Sequence, residues 1–115
     1  MASTSFEVTH YTIALGHALP ATWYGVEVRA RGQIVLQGDG LRLELYFLTD
    51  DSPVAPPAYD VDEGVAGLFL PFDQMAIFVD LLRNERPVFA DLDSDRPERI
   101  SLRTWLEPVG EMERG

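Results

Sequence analysis

Cysteine and lysine are both missing from these 115 residues. Without cysteine there can be no disulfide, thiol nucleophile, iron–sulfur cluster or thiolate zinc site. Without lysine there can be no Schiff base, no lysine-held pyridoxal phosphate and no phosphate loop of the usual kind; all nine basic residues are arginine. Histidine occurs only at His10 and His17. No H-E-x-x-H or G-x-S-x-G frame surrounds them, Ser94 or Ser101, and no G-x-G-x-x-G follows a strand. Long apolar runs are also missing. The longest, Val65–Phe72, falls far short of the roughly 20 residues a membrane helix needs. The opening residues, MASTSFEVTHYT, show neither the basic nor the apolar region of a signal peptide. The expected setting is the cytoplasm, with no membrane attachment.

Positive charge is scarce. Nineteen acids against nine bases leave a formal charge of −10. Only Glu7, Glu27, Asp39 and Glu44 precede Thr49, so most of the acid lies in the second half of the chain. Such a surface repels phosphate backbones, and direct nucleic-acid binding is not expected. With 46% hydrophobic and 24% charged residues the composition is that of a globular protein. The length fits a single domain over 1–115, with 108–115 as a flexible tail.

The clearest pattern runs from Trp23 to Gln37. Tyr24, Val26, Val28, Ala30, Gly32, Ile34 and Leu36 alternate with mostly polar neighbours. That is period two, unbroken through Gly32, and it predicts one long half-buried strand able to bend at the glycine. Gly38-Asp39-Gly40 is a hairpin turn, and Leu41–Leu48 returns with Leu41, Leu43, Leu45 and Phe47 inward. An earlier strand, about Ser5–Leu15, changes face halfway, which a bulge near His10 would reconcile. Thr49–Gly64 is an acidic, proline-containing loop. Val65–Leu70 is apolar on both faces and is expected to be a covered central strand. One helix is expected at about 72–85, with Asp73 at its positive end. Two further strands around Ser94–Glu98 then make a C-terminal hairpin.

These elements predict an α+β fold: a bent, mainly antiparallel sheet, or a partly closed small β-barrel, with the helix before the last hairpin. A helix set between strands of a small barrel resembles the oligonucleotide/oligosaccharide-binding fold, by order of elements and through no motif.

Asp91-Leu92-Asp93-Ser94-Asp95 spaces three carboxylates as a metal site might. A calcium loop of the helix–loop–helix type needs glycine at its sixth position and glutamate at its twelfth, where this chain has Arg96 and Leu102. A hairpin turn is expected instead, with Asp and Ser bonding nearby backbone and Pro97 fixing the bend. No metal, cofactor or catalytic residue is predicted.

On the helix, Phe72, Met75, Ala76, Phe78, Val79 and Leu82 form a core arc of about 160° at 100° per residue. Ile77 and Leu81 fall outside it, either under the long loop or against a second chain. The expected function is a non-catalytic interaction or accessory protein, self-associating or binding another protein through Ile77 and Leu81. An alternative is a small-ligand module for a sugar or peptide, using His17, Trp23, Tyr24 and Tyr59 at a barrel mouth. A second alternative is a hydrolase pairing a histidine with a carboxylate.

Overall fold

A computed structural model of the chain describes residues 3–104. The strands are β1 (Ser3–Glu7), β2 (His10–Trp23), β3 (Val26–Gly38), β4 (Leu41–Leu48), β5 (Ala58–Asp60), β6 (Val65–Pro71), β7 (Val88–Asp93) and β8 (Ser101–Thr104). The helix α1 (Met75–Asn84) follows a 3-10 turn at Phe72–Gln74, and a second such turn, Pro97–Arg99, precedes β8. Among the described residues the strands form two sheets, in the orders β2-β3-β4-β6-β5 and β1-β7-β8. All pairings are antiparallel except β4 with β6, which run parallel.

The fold is therefore α+β with a C-terminal hairpin, as the pattern of elements predicts, and the described residues form no closed barrel. The chain changes sheet near its start. Val8 donates its amide to Val88 O, while its neighbour Thr9 donates to Gln37 O. The expected single strand Ser5–Leu15 is thus two strands in two sheets, and the change of face read as a bulge is that crossing. The tail expected at 108–115, and the end of the last strand beyond Thr104, lie outside the described residues.

The β3–β4 hairpin turns at Asp39 and Gly40, both at positive φ (52° and 75°), which lets a two-residue turn match the strand twist. Its start differs from the alternation. Trp23 ends β2, and Tyr24 and Gly25 (φ 47° and 84°) make another two-residue turn. A tyrosine in the left-handed region is rare, so nothing in the local pattern signals a reversal there.

A second correction concerns the continuity of β3. Its register with β4 shifts between Ala30 and Gly32: Ala30 lies opposite Leu48, and Gly32 opposite Phe47. Opposed residues share a face, so Ala30 and Gly32 point to opposite faces although two apart in sequence. The bulge splits the interior in two. Ile34, Leu36, Leu43, Leu45 and Phe47 pack with Phe6, Val88, Leu92, Met75 and Leu82 between the sheets and α1. Val28, Ala30, Tyr46 and Leu48 pack with Trp23 and Ala55 on the other side. Both halves of β3 alternate because both are half-buried, each against its own cluster.

Gly32 lets α1 approach. A β-carbon there would stand 2.2 Å from Met75 Sδ, so the sheet has room for the helix only where the side chain is missing. Phe78 meets Phe47 edge-on with ring centroids 5.5 Å apart, and the Arg31 guanidinium lies 4.6 Å from the centre of the Phe72 ring. Among the described residues no helix is long and apolar enough to cross a membrane.

Candidate functional site

β2 is one of the two edge strands of the five-stranded sheet, β5 being the other. Its first half pairs regularly with β3, setting Tyr11 opposite Leu36, Ile13 opposite Ile34 and Leu15 opposite Gly32. Those three side chains extend the core row of β3 outward past the cover of α1. Leu15 is 68% exposed, and Tyr11 and Ile13 are each 39% exposed. A groove of about 760 Å³ separates Ile13 and Leu15 of this row from the near flank of α1, where Phe72, Ala76 and Val79 face it. Asp73, Asp80, Arg83 and Asn84 form its polar lip, and Asn84 donates to Asp80 at 2.6 Å. An apolar trough with a polar rim is the form an interaction surface takes.

The helix residues singled out from sequence separate. Ile77, on another flank of α1, is 70% exposed. Leu81 is half-buried and packs against the main core. Both sheets contribute side chains to that core, so the buried arc of α1 is wider than one flat sheet would require.

The four residues considered for ligand binding do not form one platform. Trp23 is 7% exposed; its ring lies over Gly67, whose absent β-carbon would be 2.9 Å away. It also meets Phe69 and Tyr46 at centroid distances of 5.9 and 6.4 Å. Tyr24 touches Trp23 edge-on at 4.9 Å and is itself exposed. Tyr59 packs against the other core cluster. His17 lies in the irregular stretch of β2 between Leu15 and Leu19, and the six positions from there to Trp23 are about 20 Å of strand. His10 is seven positions from His17, about 23 Å, and its Nδ1 is 3.0 Å from the Thr9 hydroxyl.

The acidic segment is a turn. Asp93 Oδ1 accepts from the amides of Asp95 and Arg96, both at 2.9 Å, while Asp91 accepts from Arg103 Nε at 2.9 Å and from the Ser5 hydroxyl. Among the described residues no three His, Asp or Glu side chains are grouped to hold a metal ion.

The Thr49–Gly64 segment, expected as a loop throughout, contains the short strand β5, antiparallel to β6, because Ala58–Asp60 finds its partner in Val65–Gly67; it is tied at both ends. Arg29 holds its start: its backbone N–H donates a hydrogen bond to Ser52 Oγ at 2.8 Å and its guanidinium pairs with Asp51 at 3.1 Å. Near its end the Tyr24 hydroxyl donates to Asp60. That bond pushes the Tyr24 phenol up to about 12 and, with backbone amides, holds the Asp60 carboxyl below its usual 3.8. The two shifts give opposite pH effects. The raised phenol contributes stability below pH 10 that is lost as the pH climbs towards 12. The depressed carboxyl contributes stability above about pH 4 that is lost on further acidification. Ultraviolet titration of Asp60→Asn is expected to bring the Tyr24 phenolate back towards 10; an unchanged titration would mean that the bond is not made.

Ile13 and Leu15 were legible as apolar strand residues, but not as members of this groove. The available signal was a lack: β2 has no Asp, Glu, Arg or Lys over its 14 residues, in a chain that is 24% charged. No protein-family model, curated protein or solved structure matches the chain.

Proposed function

We propose that this is a non-catalytic interaction protein that self-associates through the face where β2 runs beside α1. The observation that supports it is the apolar groove itself, lined by the exposed Ile13, Leu15 and Ala76 and the half-buried Phe72 and Val79. Fully covering an exposed leucine or isoleucine is worth about 1.5–3 kcal/mol; Leu15 is 68% exposed and Ile13 39%, so Leu15 supplies most of that value and Ile13 less than half of it. The chemistry fits the same reading: there is no cysteine or lysine to act as nucleophile, and the two histidines are far apart along one strand. Of the tryptophan and tyrosine rings considered for a sugar or peptide, the Trp23 ring is committed to packing and Tyr24 alone is largely exposed, which leaves no stacking platform of two rings.

Gel filtration with light scattering tests the proposal. The wild-type mass is expected to exceed one chain. Leu15→Glu is expected to give one chain with unchanged circular dichroism, because Leu15 is already largely exposed, and a thermal midpoint that no longer rises with protein concentration, because the stabilising partner is lost. A wild-type mass of one chain at every concentration would remove self-association from consideration.

A further inference from the structure

Resting on that reading, we infer that two copies join by antiparallel pairing of β2 with β2 about a two-fold axis through Ile13, making one continuous ten-stranded sheet. Three features of β2 select this arrangement.

The first is its unprotected edge. Exposed strands are normally guarded by charges, prolines or bulges. In β2 such guards occupy only the second half, as the irregular stretch between Leu15 and Leu19 and as Pro20, which has no amide to donate. His10–Leu15 pairs regularly with β3 on one side, and no strand lies on its other side among the described residues. Its outward amides and carbonyls therefore await a strand.

The second is charge. Two chains of −10 repel each other over most of their surfaces. Along β2 no charged side chain opposes its own copy, which favours this edge for a second copy of the same chain. A foreign partner of opposite charge would find its complement elsewhere, among the acids of the second half.

The third is parity. A two-fold axis normal to the sheet keeps each face on its own side, so odd-numbered residues of β2 must oppose odd-numbered ones. Centring on Ile13 sets Ile13 opposite itself and Tyr11 opposite Leu15 of the second copy. The whole exposed row then meets its own duplicate, the best use of cross-strand apolar pairs. The two grooves merge into one covered space between the paired strands and the two α1 helices. Ile77, on another flank of α1, stays outside.

A chain free of cysteine makes single-cysteine variants clean probes. Ile13→Cys, Thr22→Cys and Ile77→Cys would each be oxidised with diamide and run on non-reducing gels. Opposed residues on the axis have Cα atoms about 4.5–5.5 Å apart, within the about 4.4–6.8 Å that a disulfide spans. Ile13→Cys is expected to link nearly completely, and Thr22→Cys not at all, because its two copies would lie about 60 Å apart. Hydrogen exchange on the unmodified protein supplies a second measure: outward amides of His10–Leu15 are expected to exchange slowly where the mass is that of two chains. A two-chain mass with linkage at Ile77→Cys or Thr22→Cys, or with fast exchange over His10–Leu15, would overturn the β2 pairing and leave self-association standing. A one-chain mass would overturn both, and leave the edge to a strand from another protein.

Discussion

Phe47→Ala is expected to lower the free energy of unfolding by about 3–5 kcal/mol. Phe47 is fully buried and joins three parts of the structure. It lies opposite Gly32 in β3 and opposite Leu70 in β6, and its ring meets Phe78 of α1 edge-on. The glycine leaves a gap beside it that Met75 fills from the helix. Removing the ring therefore opens a cavity walled by two strands and α1, and hydrogen-bonded strands cannot close in upon it. A loss of that size is a large part of the roughly 5–15 kcal/mol that holds a domain together. It would move the thermal midpoint by about 4 °C or more for each kcal/mol. Urea unfolding followed by tryptophan fluorescence measures it. Ile77→Ala, at an exposed helix position, is expected to stay within about 0.5 kcal/mol of wild type. A cost below about 1 kcal/mol for Phe47→Ala would show that α1 does not sit on this part of the sheet.

Gly38→Ala is expected to cost about 1–3 kcal/mol, by steric conflict where β1 passes close to β3. A β-carbon at Gly38 would lie 2.0 Å from the carbonyl oxygen of Glu7 and 2.9 Å from Phe6 Cδ2. The first contact decides the outcome, because a backbone oxygen has no rotamer into which to retreat. Glu7 is paired with Phe89 in the other sheet, so relief requires β1, or all of the β1-β7-β8 sheet, to move away from β3. Gly25→Ala is the informative contrast. Nothing lies within 4 Å of its missing β-carbon, and its cost, about 1–2 kcal/mol, comes only from positive φ. Both variants lose stability, but only Gly38→Ala is expected to shift the amide resonances of Phe6, Glu7 and Val8. Wild-type resonances and midpoint in Gly38→Ala would mean that the sheets are not this close.

Local patterns in the chain determined the elements whose causes are local. Alternation over Leu41–Leu48 and the Asp39-Gly40 turn specify the β3–β4 hairpin, because a half-buried strand and a two-residue reversal depend on nearest neighbours. The apolar spacing from Met75 to Leu82 specifies α1 in the same way. The Asp93 carboxylate finds its amide partners two and three residues on, so its turn was legible as well. Alternation reports that every second residue is covered, but not by what. The bulge at Ala30–Gly32, the burial of Trp23 over Gly67, the packing of Leu81 and the passage from one sheet to the other at Val8–Thr9 all depend on partners far along the chain. The parallel pairing of β4 with β6 does so too. The groove shows the division most clearly. The absence of charge from His10 to Trp23 is written in the sequence, and a buried central strand would read the same way. Only the tertiary structure makes that stretch an edge, because β3 takes one side of it and nothing among the described strands takes the other. Edge and centre differ in hydrogen-bond partners remote in sequence, and no local pattern of side chains records them.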